Sequence, residues 1–316
     1  MLQKTKRLTK VLYLGFGLCF ATCCWVIFYL TTPVVMPQVI SVPKGSIKSI
    51  ITYLNGIEGI PPNQFGRFDA FLIGAIGIPQ SGFVDLGVEN PTRLEFYKRL
   101  STAKAATKEI TLIPGETLHF FLQDVARVYG LDAQKLQESY EKYFHLPEGV
   151  IVPETYKLPM GLDEDSLMKT LAQISYKWHE DTATKLLGVY DRDKWFYYVS
   201  IASIVQKEAA NIEEMPIVAA VVFNRLKIGM PLQMDGSLNY GIYSHQKITP
   251  ERIRNDTNPC NTYKYKGIPP YPCTSASVQA LKAVLDPADV EYLYFVRNKN
   301  GTHTFSKTYQ DHKSNF

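Results

Sequence analysis

The chain has 316 residues, 46% of them hydrophobic and 20% charged, a globular composition that excludes wholesale disorder and collagen-like repeats and leaves room for about two ordinary domains. A formal charge of +4, with no Lys/Arg run beyond the N-terminal tail, argues against a nucleic-acid partner. The histidines are scattered, with no H-E-x-x-H and no nucleophile elbow, so the residues suggest no metal, no nucleotide cofactor and no triad hydrolase.

Residues 11–30, VLYLGFGLCFATCCWVIFYL, hold no charge and no proline. A helix of about 20 residues at ~1.5 Å each matches the roughly 30 Å hydrocarbon core of a bilayer. Lys4, Lys6, Arg7 and Lys10 precede the run and the next basic residue is Lys44, an asymmetry that makes residues 1–10 a cytoplasmic tail and sends the rest outward. Thr31-Thr32-Pro33-Val34 is a poor cleavage site, which favours a retained single-pass anchor over a signal peptide. The expected location is the inner membrane, with the bulk of the chain in the periplasm. Cys19, Cys23 and Cys24 lie within the span and read as small apolar side chains.

After a stalk broken by Pro33 and Pro37 comes a short strand and then a helix that Ser46 should cap. The same grammar returns at Ile110–Thr117, followed by LHFFLQDVARVYG, which suggests a weak internal duplication. Such strand–helix units resemble LysM-like modules that grip N-acetylated glycans; the alternative is a spacer. Between them, RFDAFLIGAIGIPQSG reads as a buried helix and ENPTRLEFYKRLSTAK as an amphipathic one. Residues 146–156 are crowded with turn formers and read as a link, placing a membrane-proximal region at 38–157 and a second domain at 158–316. Asp163 to Gly188 should form one long helix.

The chemistry concentrates in the second domain. On a helix over 194–210, Tyr197, Ile201, Ile204 and Glu208 fall along one face, placing a carboxylate at the end of an apolar stripe. Desolvation raises a carboxyl pKa, as a proton donor near neutral pH requires. Glu208 is thus a candidate general acid, against the alternative of a helix-end glutamate at the rim of the core. Glu213 and Glu214 suit the start of the next helix, Pro216 to Ile228, whose Asn224 and Arg225 either face solvent or bond into a cleft. The loop 229–237 is irregular and polar-tipped, and the loop 259–273 is rich in proline, tyrosine and amides, a combination suited to sugars. Cys260 and Cys273 read as a disulfide in an oxidising compartment, or else as two free thiols. Residues 292–296 and 303–305 form a hairpin-like pair.

Taken in order, Ala202-Ser203-Ile204-Val205-x-Lys207-Glu208, Val222-Phe223-Asn224-Arg225-Leu226-x-x-Gly229-Met230-x-Leu232-Gln233-x-Asp235, Asn261-Thr262-Tyr263 with Gly267-Ile268-Pro269-Pro270, Tyr292–Val296 and Gly301-x-His303-x-Phe305 strongly resemble the endolytic murein transglycosylases, the YceG-like family. The resemblance implies an α+β chain: a single N-terminal transmembrane helix, a small LysM-like subdomain and a mixed α+β catalytic domain. It implies cofactor-free cleavage of the MurNAc–GlcNAc β-1,4 bond in nascent peptidoglycan strands, leaving 1,6-anhydroMurNAc ends, and association with peptidoglycan synthases. Position by position, Glu208 matches the catalytic glutamate, and Gln233, Asp235, Asn261 and Tyr263 match substrate contacts. The chain departs from the family at Gln206, often glutamate in relatives, at Gly236-Ser237-Leu238, and in the two outer cysteines. Two rivals remain: a two-carboxylate muramidase pairing Glu208 with Asp235, and a non-enzymatic, membrane-tethered glycan-binding or cell-wall assembly scaffold.

Overall fold

The apolar run and the basic tail before it form one helix, α1 (Leu2–Thr31), of which Thr9–Thr31 is long and apolar enough to cross a membrane. The computed structural model describes residues 2–315, with side chains from Thr9 to Asn315, so the orienting side chains of Lys4, Lys6 and Arg7 lie outside the described residues. The chain divides into two units, one running through Thr107 with Pro159–Gly161 added, the other made of Lys108–Leu158 and the chain from Leu162 onward.

In the first unit, α1 is followed by β1 (Val39–Val42), α2 (Ile47–Leu54), α3 (Arg67–Ile76), β2 (Gly82–Asp85), α4 (Arg93–Thr102) and β3 (Lys104–Ala105). The strands form a sheet in the order β1-β2-β3, antiparallel, with Val39 opposite Asp85 and Val42 opposite Gly82. Alternation puts Ile40, Val42 and Val84 inward, against Ile50, Leu54, Ile73, Phe96 and Leu100. Ser46 caps α2 as expected, its Oγ accepting the Ser49 N–H at 3.3 Å. α4 starts in a reciprocal Thr92/Glu95 capping box. The helix expected to be buried, α3, is only half so: Asp69 and Ile73 face the core, while Phe71 and the following Ile78 point outward. Its sequence is apolar nearly all round, and periodicity cannot rank two apolar faces.

The second unit holds β4 (Thr107–Thr111, whose first residue belongs to the other unit), α5 (Leu118–Tyr129), α6 (Ala133–Tyr143), β5 (Thr155–Pro159, whose last residue belongs to the other unit), α7 (Glu164–Leu187), α8 (Arg192–Glu208), α9 (Met215–Lys227), α10 (Pro250–Asn255), α11 (Val278–Leu285), β6 (Tyr294–Arg297), β7 (His303–Ser306) and α12 (Tyr309–Lys313). β4 pairs with β5, the Thr111 and Thr155 hydroxyls meeting at 2.9 Å. Thus strand–helix–helix–strand occurs twice, as β1-α2-α3-β2 and β4-α5-α6-β5, each with its outer strands paired. The hairpin-like pair is antiparallel β6–β7, Phe295 opposite Phe305. α7 keeps its expected limits: the Asp163 carboxylate accepts the Ser166 N–H at 2.7 Å, and Gly188 closes the helix at φ 77°.

The first unit runs through Thr107 and also takes in Pro159–Gly161, so one break does fall beside residue 158, but 146–156 is no solvent link. Val150, Ile151 and Val152 are buried in the same core as α5, α7 and α8. Trp195 Nε1–H donates to His179 Nδ1 at 2.9 Å, which leaves the His179 proton on Nε2, 2.9 Å from the Val150 carbonyl. Burial holds that imidazole down at about 4, so it stays neutral. The single apolar stripe expected on α8 is also corrected. Tyr197 is 45% exposed, whereas every residue from Val199 to Val205 is buried, because α9 and α11 both pack on the helix.

Candidate active site

α8 ends where its core ends. Ala209 leaves helical backbone, and Glu208, the last helical residue, emerges from beneath the packed turns. Its Oε1 accepts the Gly236 N–H at 2.5 Å. Only glycine allows that approach: a Cβ on residue 236 would lie 2.5 Å from Lys207 Cβ and 3.0 Å from Glu208 Oε1.

The loop that delivers Gly236 is registered against the tyrosine–proline loop. Gln233 sits at φ 47°, its N–H donating to the Thr262 carbonyl at 3.1 Å, and the Met234 N–H donates to Thr262 Oγ1 at 2.9 Å. Tyr263 OH then donates to Asp235 Oδ1 at 2.6 Å. Beneath these contacts Cys260 and Cys273 are disulfide-bonded, with Cα atoms 5.9 Å apart. The Cys273 N–H donates to Ser203 Oγ of α8 at 3.0 Å, so the loop is tied to the helix that carries Glu208.

These segments enclose a cavity of about 810 Å³. Its lining includes Lys207, Glu208, Gln233, Asp235, Gly236, Asn239 and Tyr263 together with Arg225, residues 294–297 of β6 and His303 of β7. Burial pushes the Glu208 carboxyl up to about 7. The Gly236 N–H opposes that rise, the Asp235 charge adds to it, and Arg225 and Lys207 pull against it. Tyr263 is pushed well up, by burial and by its bond to Asp235.

Of the expected site residues, Glu208, Gln233, Asp235 and Tyr263 meet in this cavity. Asn261 does not: it is fully buried, its Nδ2 donating to the Ile253 and Asp256 carbonyls at 2.9 Å and its Oδ1 accepting the Tyr263 N–H at 3.1 Å. Its amide shapes the loop from below and has no donor left for a ligand. Gln206 is also outside the cavity, its Oε1 accepting the Ser277 N–H at 3.1 Å at the start of α11.

Three features escaped sequence reasoning. Arg225, left open between solvent and cleft, donates from Nε to the Leu293 carbonyl at 2.6 Å and from Nη1 to the Leu232 carbonyl, while Asn224 bonds the Val290 and Tyr292 carbonyls. Glu214 does more than serve a helix end: it accepts the His303 N–H at 2.8 Å and meets His303 Nδ1 at 2.7 Å. Burial would raise its carboxyl, but those bonds and the Ala210 N–H outweigh it and hold the group low. Asn239 lines the cavity with a buried Oδ1 that has no partner among the described residues. The first two depend on long-range pairing and the third on how the chain folds around the cavity, for which spacing along the chain carries no signal.

Residues 46–316 match the YceG-like family pattern. The chain belongs to that family. This YceG-like chain is 26% identical over 302 residues to the endolytic murein transglycosylase of Bacillus subtilis strain 168, covering 86% of the chain and 82% of that relative. It is 29% identical over 178 residues to the endolytic murein transglycosylase of Streptococcus pneumoniae serotype 2, a match that spans 53% of the chain and 31% of that longer protein. A crystal structure of a YceG-like protein from Listeria monocytogenes superposes with a TM-score of 0.55 at 23% identity, over 87% of this chain and 98% of the other. The YceG-like fold is therefore shared along nearly the whole chain.

Proposed function

We propose that this chain is a membrane-anchored endolytic peptidoglycan transglycosylase and that Glu208 is its general acid and then its base. The observation that carries the reading is a carboxyl on a polar cavity of about 810 Å³ whose burial lifts it to about 7, so that it holds a proton near neutral pH. The names of the Bacillus and Streptococcus relatives support the same substrate class.

In the reaction proposed, the protonated Glu208 donates to the glycosidic oxygen as the MurNAc–GlcNAc β-1,4 bond breaks, and GlcNAc leaves with a hydroxyl at O4. The carboxylate then takes the proton from the muramyl 6-hydroxyl while O6 bonds to the anomeric carbon. This closes a 1,6-anhydro ring and returns Glu208 to its starting state. The nucleophile is tethered to the substrate, so proximity replaces a second activating carboxylate. Asp235, bound by the Tyr263 hydroxyl at 2.6 Å, is assigned with Tyr263 and Gln233 to holding sugar, and the unpartnered Asn239 Oδ1 to accepting a hydroxyl or acetamide N–H. Asn261 is a positioning residue.

The arrangement proposed around this site is an anchor at 11–30 with the N-terminus inside, a glycan-contacting role for the LysM-like strand–helix units within 38–157, and the glycan strand met outside the cytoplasmic membrane. Synthases that extend the strand are the proposed protein partners. The test is product analysis with detergent-purified full-length protein on uncrosslinked glycan strands. Wild type should give anhydro ends by mass spectrometry, and Glu208→Gln a folded protein that gives none. Reducing ends from wild type would establish the muramidase reading instead; glycan binding without turnover by either protein would establish the scaffold.

A further inference from the structure

We propose that α3 is an interfacial helix that lies in the outer headgroup layer of the bilayer spanned by α1, giving the first unit a second, peripheral hold on lipid. The inference rests on reading α1 as a membrane span.

Two observations meet here. The first is an apolar face that, beyond Phe68, is left exposed among the described residues. Phe68, Phe71 and Ala75 fall at i, i+3 and i+7, about 150° round the helix from the inward pair Asp69 and Ile73. Phe71 is 69% exposed, and Ile78, just past the helix, 81%. The only charge on α3 besides buried Asp69 is Arg67 at its start, where an anionic headgroup would suit it.

The second is continuity with the anchor. Phe68 packs on Trp25 and Tyr29 of α1 at ring-centroid distances of 5.7 and 5.4 Å. The joint is rigid, because Asp69 sits at its centre: its carboxylate accepts the Tyr29 hydroxyl at 2.7 Å, Arg93 Nη1 at 2.5 Å, the Gly66 N–H at 2.6 Å and the Tyr97 hydroxyl. The Arg93 guanidinium also lies 4.4 Å over the Tyr29 ring.

Depth decides the occupant. Tyr29 and Trp25 lie about 3 and 9 Å before the end of α1 at ~1.5 Å per residue. An interfacial helix buries its apolar face about 5–10 Å into the headgroup–acyl boundary. A helix whose first turn packs at that level through Phe68, and whose Phe71 and following Ile78 are exposed, meets lipid.

The experiment places a photoreactive benzoylphenylalanine singly at positions 71 and 78 in the full-length protein in phosphatidylglycerol/phosphatidylethanolamine vesicles, with position 18 of α1 and the exposed Lys104 as references. Lipid adducts read by mass spectrometry should form at 71 and 78 as readily as at 18, and about tenfold above those at 104. Adducts at 18 but not at 71 or 78 would overturn the proposal, as would protein–protein adducts at 71 and 78 or equal lipid yields at 104. No adduct at 18 would overturn instead the reading of α1 on which the proposal rests.

Discussion

Two glutamates of the second unit have carboxyls raised by desolvation, and their difference shows what turns a raised pKa into a site. Glu148 closes the N-terminus of α5, accepting the Leu118 N–H at 2.9 Å and the Gly149 N–H at 3.1 Å, and burial lifts it to about 8. Glu208, lifted by the same cause to about 7, accepts one backbone N–H and otherwise faces a cavity. Desolvation makes each carboxyl hold its proton. Glu208 lines a cavity in which a substrate oxygen could receive it, whereas the Glu148 oxygens are taken up by the Leu118 and Gly149 N–H groups, so Glu148 is a helix cap and Glu208 the proposed acid.

The sharpest way to break this comparison is to neutralise each in turn. Glu208→Gln should cut anhydro-product formation by about 10²–10⁴-fold, the scale of a lost general acid, while Glu148→Gln, which keeps an acceptor for Leu118, should leave product formation in place. Loss of turnover in a folded Glu148→Gln protein would erase the distinction. Next in size is the disulfide: the Cys260→Ser/Cys273→Ser pair should lose about 3 kcal/mol in denaturant unfolding, on the loop-entropy model. Glu148→Ala, which orphans two N–H groups, should lose about 1–3 kcal/mol by the same measurement.

A pH series sharpens the comparison further. Both carboxyls bind protons more tightly folded than unfolded, so from about pH 4.5 upward the folded chain holds the excess protons. Their contribution to stability is full below that range and is lost as pH rises through about 7 at Glu208 and about 8 at Glu148. Glu208→Gln and Glu148→Gln should each flatten the fall in melting temperature over its own window. The smallest effects belong to the neighbours. Asp235→Asn should move the alkaline limb of kcat/KM to lower pH and Lys207→Met to higher pH, each by under about one unit.

Much of the scaffold was legible because local chemistry wrote it. Ser46, Asp163 and Gly188 mark helix ends that the structure keeps, the β6–β7 hairpin lies where spacing put it, and the Cys260–Cys273 bridge is the first of the two readings those cysteines left open. What stayed hidden was set by packing across the fold. The proline-rich run 146–156 looks like a linker until Val150–Val152 are seen in the core, and α3 looks buried until one apolar face is found without cover. Within the site, Gln233, Asp235 and Tyr263 carried the family pattern into the cavity. Asn261 carried the same pattern but is consumed by its own loop, since a fully satisfied amide cannot be told from a ligand-facing one by sequence. The Glu214–His303 pair, 89 residues apart, left no trace in either neighbourhood.

The most direct measurement is the titration of the Glu208 carboxyl by ¹³C NMR in full-length protein with δ-¹³C-labelled glutamate, assigned by the resonance that disappears in Glu208→Gln. A midpoint near 7 is predicted. A midpoint in the ordinary glutamate range of about 4.3 would mean a solvated, ionised side chain at working pH and would contradict the acid role.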